Sequence, residues 1–137
     1  TGDGKFDYVG YTAELPKEKT VSEIAMLVSE TLALAPGELR YTGDGAKRIK
    51  KIGVCSGAGA DIAFSAAAKG CELFITGDVK YHEAQNARET GIALIDAGHF
   101  GTEKIFASNM AERLSAEIGD KAEVLVSTTD INPFVCI

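Results

Sequence analysis

The sequence has little cysteine, and its few thiols are not arranged as a site. Cys55, Cys71 and Cys136 are odd in number, lie far apart in the chain and form no Cys-x-x-Cys pair. Each lies in or beside an apolar run, which is typical of reduced cysteines that pack as small hydrophobic side chains. We therefore expect three buried thiols in a reducing cytosol, with a disulfide or a thiolate site as the minority alternative.

Long apolar runs and clusters of basic residues are also missing. No stretch approaches the ~20 apolar residues that a membrane-spanning helix needs, and no charged-then-apolar leader opens the chain. The formal net charge is -6, and the single basic cluster, residues 47–51, is short. Nucleic-acid binding depends on clustered Lys and Arg that neutralise phosphates. We therefore expect a cytoplasmic protein that binds neither a membrane nor a nucleic acid.

The length suits one domain with its own apolar core. The chain has 137 residues, of which 45% are hydrophobic and 25% charged, as in ordinary globular proteins. It contains no internal repeat and no low-complexity segment. Because it starts at Thr1 without an initiator Met, we expect residues 1–137 to form a single domain that is a processed or excised piece of something longer.

The first third of the chain predicts a strand, a helix and a second strand. Aromatic and β-branched residues over residues 5–11 are typical of a strand, which Leu15-Pro16 would end. Residues 20–23 have the capping-box pattern, and apolar residues at helical spacing follow, up to Pro36-Gly37. Residues 39–41 predict a brief second strand.

From residue 49 onward, short apolar strands alternate with helices. Strands are predicted at residues 49–54, 73–75, 92–95, 124–126 and, as a last apolar run, 134–137, with helices at 60–69, 81–89 and about 104–118. A stripe on the last helix predicts a core-facing side: Ile105, Phe106, Met110, Leu114 and Ile118. Helix-length connections between continuously apolar strands imply parallel pairing. We therefore predict an α/β fold, a layered sheet of mostly parallel strands with flanking helices.

Three turns that follow predicted strands carry residues suited to a site. They are residues 56–59, 76–78 and 96–99, and the carboxyl ends of parallel strands share the edge where ligands gather. His99 and Glu103 are four residues apart, so on a helix that has started by His99 they lie one turn from each other and point the same way. An imidazole nitrogen and a carboxylate oxygen placed in this way can hold a divalent metal ion.

The other polar residues at this edge leave alternatives open. Asp78 and His82 repeat the spacing of four. His82 is either a surface residue bonded to Asp78, or an acid, base or orienting group beside the site. We expect Asp96 to cap its turn rather than bind metal.

The glycine-rich turn Ser56-Gly57-Ala58-Gly59 does not match a dinucleotide-binding fingerprint. Ile62 stands where the third Gly or Ala of that fingerprint would be. An anion or phosphate resting on Ser56, Gly57 and Gly59 at the start of the next helix stays open as an alternative.

Three segments of the sequence resemble the NIF-three-like family, whose members bind a pair of metal ions and are sometimes labelled type-two GTP cyclohydrolase one. The segments are residues 53–59, 74–84 and 95–103, with weaker matches at 14–16 and 132–134. The resemblance covers nearly the whole chain, but only the C-terminal half of the family's sequence. It implies an α/β fold with related halves and, for the intact protein, a homo-oligomer.

The resemblance implies that His99 and Glu103 are metal ligands. In the family, two adjacent histidines and an aspartate from the N-terminal half complete the site, and this chain has no His-His pair. We therefore expect weak metal binding by this chain alone, with a missing N-terminal half as the partner that supplies the other ligands. The residues do not distinguish Zn, Fe, Mn and Mg as the divalent metal pair.

The function that the resemblance implies is metal-dependent hydrolysis of a nucleotide or phosphoester, similar to a GTP cyclohydrolase. A metal pair activates water and clamps a phosphoryl or similar oxygen. In this scheme His82 relays a proton as the catalytic residue, and Asp78 and Asp96 lie near the metals. The alternative is a non-catalytic module that binds metal or a partner protein.

Overall fold

The computed structural model describes residues 9–135 and contains a five-stranded mixed sheet with helices on both faces. The strands are β1 (Tyr11–Thr20), β2 (Arg40–Tyr41), β3 (Arg48–Ala58), β4 (Leu73–Gly77) and β5 (Ala93–Asp96). The α-helices are α1 (Val21–Thr31), α2 (Ala63–Ala68), α3 (Tyr81–Thr90), α4 (His99–Glu103) and α5 (Ile105–Ile118). Single 3-10 turns lie at Ala60–Ile62 and Gly119–Lys121.

The sheet has a parallel centre and antiparallel edges. Its strand order is β1-β3-β4-β5-β2. β3, β4 and β5 run parallel because helices connect them, whereas β1 and β2 pair antiparallel with β3 and β5. The α/β class is confirmed, and the expectation of mostly parallel strands holds for the three central strands only.

The central strands bury both of their faces, as their continuous apolar runs predict. Leu73, Ile75 and Ile95 pack on the side of α1, whereas Phe74 and Leu94 pack on the side of α2 and α3. Successive side chains of a strand point to opposite faces, so one short run supplies two cores. Each of these buried side chains contributes about 1.5–3 kcal/mol of transfer free energy.

Helix α1 begins at the predicted capping box and ends earlier than predicted. The Glu23 amide donates to Thr20 Oγ1 (3.2 Å), and the Thr20 amide donates to the Glu23 carboxylate (2.6 Å). The helix stops at Thr31 rather than at Pro36-Gly37, because Ala33 takes a left-handed conformation with φ of 46°. The capping box is confirmed, and the predicted end was wrong by about one turn.

The first strand passes through the residues that were expected to end it. Residues 5–8 of the predicted strand lie outside the described residues, and β1 runs from Tyr11 through Leu15-Pro16 to Thr20. Its pairing with β3 shifts register between Glu14 and Lys19. Pro16 therefore lies in an irregular part of an edge strand, where its missing N–H costs no regular ladder bond.

Several other boundaries differ from the sequence prediction. β3 continues to Ala58, so residues 56–58 of the predicted turn belong to a strand. The predicted helix at 60–69 is split into a 3-10 turn and the short α2, and the last long helix is preceded by α4, which begins at His99. Small residues such as Ser, Gly and Ala give no apolar period, so the pattern of the sequence did not indicate these boundaries.

The C-terminal part of the chain departs most from the prediction. Among the residues that the structure describes, none of α5 is buried, and Phe106 is 64% exposed. Residues 124–126 are not a strand, and Leu125 is 80% exposed. Residues 134 and 135 are also exposed and outside any strand, while 136 and 137 lie outside the described residues. The core-face prediction for α5 and the last two strand predictions were therefore wrong for this chain, because an apolar pattern indicates a surface suited to burial but not what covers it.

The described cysteines are free thiols. Cys71 is buried and Cys55 is half-buried, and burial is the first cause that raises the pKa of both thiols above the ordinary value. Cys136 lies outside the described residues. In a separate finding, no helix of residues 9–135 combines the length and the apolar character needed to cross a membrane.

Candidate metal-binding site

The ends of the three parallel strands bring the predicted turns together at one edge of the sheet. The Ala97 amide donates to the carbonyl of Thr76 (2.8 Å), which joins the turns after β4 and β5. The Gly57 amide at the end of β3 donates to Thr102 Oγ1 on α4 (2.8 Å). A Cβ at Gly77 would lie only 2.5 Å from the carbonyl of Gly98, so these turns pack backbone to backbone.

His99 and Glu103 meet at this edge. Both lie on α4, whose N-cap is Gly98 with φ of 72°, and His99 Nε2 is 3.3 Å from a carboxylate oxygen of Glu103. The His99 side chain is 48% exposed. The structure therefore brings the two predicted ligands together on one accessible face of the helix.

Asp78 contacts the other side of the same imidazole. Its carboxylate is 2.9 Å from His99 Nδ1. The interpretation that Asp78 bonds to His82 is therefore wrong. His82 is exposed, with its ring edge-to-face against Tyr81 at a centroid distance of 5.4 Å. Within the described part of the chain, the His82 side chain makes no hydrogen bond.

The two carboxylates favour the charged form of His99. The hydrogen bond that His99 Nδ1 donates to Asp78 raises the pKa of the imidazole above its ordinary value of 6.5, the charge of Glu103 raises it further, and partial burial opposes both. Without a metal ion, the ring therefore binds its second proton more readily than a free imidazole does. A cation beside Nε2 would replace the second proton.

The spacing of the pair fits a metal ion. Ligands held 2.0–2.1 Å from a tetrahedral ion are about 3.3–3.4 Å apart, which matches the 3.3 Å between His99 Nε2 and the Glu103 carboxylate. Across residues 9–135, however, no three His, Cys, Asp or Glu side chains converge to hold a metal. The described residues therefore supply two ligands, fewer than the four that a structural zinc site uses.

Gly57 gives the pair its space. It has φ of 65°, and a Cβ there would lie 2.6 Å from a Glu103 oxygen and 3.3 Å from His99 Nε2. A side chain at this position would push into the space between the two ligands. In the sequence, Gly57 stands out only as part of the turn for which anion binding is the open alternative.

The Ser56–Gly59 turn uses two of its amides internally. The Gly57 amide donates to Thr102 and the Gly59 amide donates to Thr76 Oγ1 (2.9 Å), while the Thr76 hydroxyl donates to the Gly57 carbonyl (3.0 Å). An anion at Gly57 or Gly59 would have to displace these bonds. The sequence analysis included Thr76 in the predicted turn 76–78 without giving it a role of its own, and it did not single out Thr102, which directly precedes Glu103.

Asp96 links two turns by hydrogen bonds, as its predicted capping role implies. One carboxylate oxygen accepts from the Gly98 amide (3.1 Å), and the other accepts from the Val79 amide (3.1 Å) and from Arg40 Nε (2.9 Å). Asp96 is buried, and Arg40 neutralises its charge. Each of its carboxylate oxygens therefore accepts at least one hydrogen bond from the protein.

An apolar cavity of about 610 Å³ adjoins the site. It lies between α1, β1, β3 and the start of α5, with mostly apolar walls, and it reaches Ser56 and Thr102. Its size falls within the range of small-molecule pockets. The cavity therefore extends to Thr102, the residue directly before Glu103.

The fold and the site define a class: an α/β protein with a two-ligand candidate metal site at the carboxyl ends of its parallel strands. Comparison with protein families identifies the class more closely. The chain belongs to the Duf34/NIF3 (NGG1p interacting factor 3) family, whose model matches residues 7–133.

Individual relatives agree with this membership. A Clostridium perfringens protein named GTP cyclohydrolase 1 type 2 homolog is 36% identical over 126 residues, 92% of this chain and 47% of that protein. The Bacillus subtilis protein of the same name is 33% identical over 129 residues, 92% of this chain and 34% of that protein. The chain thus spans about half, or less, of the length of the curated relatives that it matches.

Solved structures agree on the fold. A Bacillus cereus protein related to NIF3 superposes with a TM-score of 0.83 at 26% identity, over 93% of this chain and 36% of that chain. A Staphylococcus aureus hypothetical protein also gives 0.83, at 27% identity over 93% of this chain and 37% of that chain. Both matches extend over nearly all of this chain and little more than a third of the other.

Proposed function

We propose that this chain carries part of a dinuclear metal centre in a metal-dependent hydrolase that acts on a nucleotide or phosphoester. The observation that carries the proposal is the 3.3 Å approach of His99 Nε2 to the Glu103 carboxylate on an exposed face of α4. The two side chains hold a divalent cation between them. When bound, the metal pair activates a water molecule and polarises a phosphoryl or similar oxygen.

The remaining ligands come from a partner, the missing N-terminal half. Two ligands leave a divalent ion with most of its coordination positions open, and this chain covers 47% of its Clostridium perfringens relative. The exposed apolar side chains of α5 suit burial against such a half: Ile105, Phe106 and Leu114. The intact protein forms a homo-oligomer in this proposal, as the resemblance implies.

In this proposal the substrate lies beside the ligand pair. Gly57 keeps space open beside the ligand pair, and Thr102 connects that space to the apolar cavity. The relatives' name, GTP cyclohydrolase 1 type 2 homolog, supports a nucleotide as the first substrate to test. His82 has no assigned step in this proposal, because its ring is exposed and stacks edge-to-face on Tyr81.

Metal titration with matched variants tests the ligand assignment. Calorimetric titration with Zn²⁺ and Mn²⁺ should show that His99→Ala and Glu103→Ala each weaken binding by more than the roughly 10–100-fold caused by loss of an outer hydrogen-bond partner. His82→Ala is the control, since it removes the other histidine from the same edge. Equal binding by the chain and both ligand variants would contradict the proposal.

Hydrolysis assays test the activity. The chain together with its N-terminal half should release product from GTP or a model phosphoester only when metal is present. Turnover that survives both His99→Ala and Glu103→Ala would exclude the hydrolase as drawn here.

A second candidate is a non-catalytic module that binds metal or a partner protein. The observation that favours it is the combination of a two-ligand site with an exposed apolar helix. Metal binding by the intact protein without turnover of any nucleotide would select this candidate.

A further inference from the structure

We propose that Asp78 is a positioning residue that keeps the His99 ring in one tautomer and orientation, with the proton on Nδ1 and the lone pair of Nε2 directed at the metal site. This inference rests on the proposed ligand role of His99. It gives a function to the contact between the turn after β4, which holds Asp78, and the turn after β5, which leads to His99. Asp78 itself acts through His99 and does not touch the metal.

The two carboxylates around His99 compete for the single proton of the neutral ring, and each favours a different tautomer. Asp78 lies 2.9 Å from Nδ1, and Glu103 lies 3.3 Å from Nε2. A carboxylate only accepts hydrogen bonds, and a neutral imidazole carries a single N–H. Glu103 alone would draw that proton to Nε2 and block the metal-binding nitrogen. The shorter contact with Asp78 favours Nδ1–H, so Nε2 stays free to bind.

The backbone holds Asp78 in place. The two oxygens of Asp96 bind the amide of Val79, directly after Asp78, and the amide of Gly98, directly before His99. One buried carboxylate thus fixes the separation of the two turns. The contact between Asp78 and His99 is therefore a product of the sheet edge and not a chance meeting of two surface side chains.

The conformation of Asp78 decides which variants are informative. Its φ of 53° lies in the left-handed region, where glycine is free of strain and Asp and Asn are the best tolerated of the other residues. Asp78→Gly therefore removes the carboxylate and leaves the turn intact. Asp78→Asn keeps an oxygen that can accept from Nδ1–H.

Long-range ¹H–¹⁵N NMR of the 137-residue chain without metal reads the tautomer directly. The chain has two histidines, so only two ring patterns need assignment, and the exposed His82 provides the reference for an unconstrained ring. At a pH where both rings are neutral, His99 should show Nδ1–H in the parent and in Asp78→Asn. Asp78→Gly should change His99 to Nε2–H and leave His82 unchanged. An Nε2–H ring in the parent, or an unchanged tautomer in Asp78→Gly, would overturn the inference.

Zinc titration gives the second readout. Asp78→Gly should weaken binding of Zn²⁺ by roughly 10–100-fold, as loss of an outer partner of a metal-bound histidine does, and Asp78→Asn should restore most of the affinity. Asp61→Asn is the charge-matched control, since it removes one exposed carboxylate near the start of α2. If Asp78→Gly binds like the parent while His99→Ala does not, the inference fails and the proposed function stands. If His99→Ala binds like the parent, the proposed function fails, whatever tautomer the NMR shows.

Discussion

At the scale of single residues, His99 lies between two carboxylates on opposite sides of its ring. This arrangement couples the protonation of the ring to metal binding. Each ring nitrogen faces one carboxylate, Asp78 at Nδ1 and Glu103 at Nε2. The hydrogen bond that His99 donates to Asp78 is the first cause of the raised pKa of His99. Below that pKa, a metal at Nε2 must displace a second proton that the same carboxylates stabilise, so metal affinity and pH are coupled.

Metal binding should weaken as the pH falls. Below the raised pKa of His99, apparent affinity should drop about tenfold per pH unit, since one proton competes for Nε2. Titrations across the neutral range measure this slope. His82→Ala should give the same slope as the parent, and an affinity that does not change with pH would contradict the assignment of Nε2 as a ligand.

The raised pKa of His99 should also make the stability of the metal-free chain depend on pH. Because the folded-state pKa of His99 is raised, its charged form stabilises the fold fully below the unfolded value near 6.5. That contribution is lost as the pH rises through the folded pKa. The difference in unfolding free energy between the parent and His99→Ala should therefore shrink as the pH rises. A difference that grows over the same range would mean that the carboxylates do not favour the charged ring.

Gly57 should matter to the site more than to the fold. Gly57→Ala places a Cβ 2.6 Å from a Glu103 oxygen at a left-handed residue, so stability should fall by about 1–2 kcal/mol and metal affinity by roughly tenfold or more. Gly91→Ala is the control, because Gly91 has φ of 83° with open space around it. It should lose similar stability and keep its metal affinity. Equal metal affinity in both variants would show that Gly57 does not shape the site.

At the scale of elements, α4 and α5 follow each other directly and have different surroundings. α4 packs on β3 and β4 and presents the candidate ligands, while α5 leaves its apolar stripe exposed among the described residues. The sequence predicts α5 as a helix with an apolar side, because a spacing of four is a local property. The sequence did not predict that this apolar side would be exposed to solvent, because the residues of a helix do not specify which other element packs against it.

Two leucines test this difference between elements. Leu94 in β5 is 1% exposed and Leu114 in α5 is 42% exposed. Leu94→Ala should lower the unfolding free energy of the chain by about 2–5 kcal/mol, because it leaves a cavity in the core. Leu114→Ala should change it by less than about 1 kcal/mol. Chemical denaturation measures both, and a comparable loss at Leu114 would show that α5 is covered in the isolated chain.

At the scale of the whole molecule, the sequence predicted what depends on local pattern and missed what depends on assembly. The central strands followed from apolar runs, and the pairing of His99 with Glu103 followed from helical spacing. The contact of Asp78 with His99 joins residues 21 positions apart. It exists because β4 and β5 are parallel neighbours in the sheet. A local sequence pattern does not predict which strands are neighbours. Likewise, the apolar residues 124–126 have the composition of a strand but lie outside the sheet.

The most direct test of the central claim is anomalous scattering from a metal-loaded crystal of the intact protein. The account predicts a peak about 2.0–2.2 Å from both His99 Nε2 and a Glu103 carboxylate oxygen, with Asp78 still hydrogen-bonded to Nδ1. A peak held by other residues, or His99 and Glu103 turned away from every metal position, would contradict it.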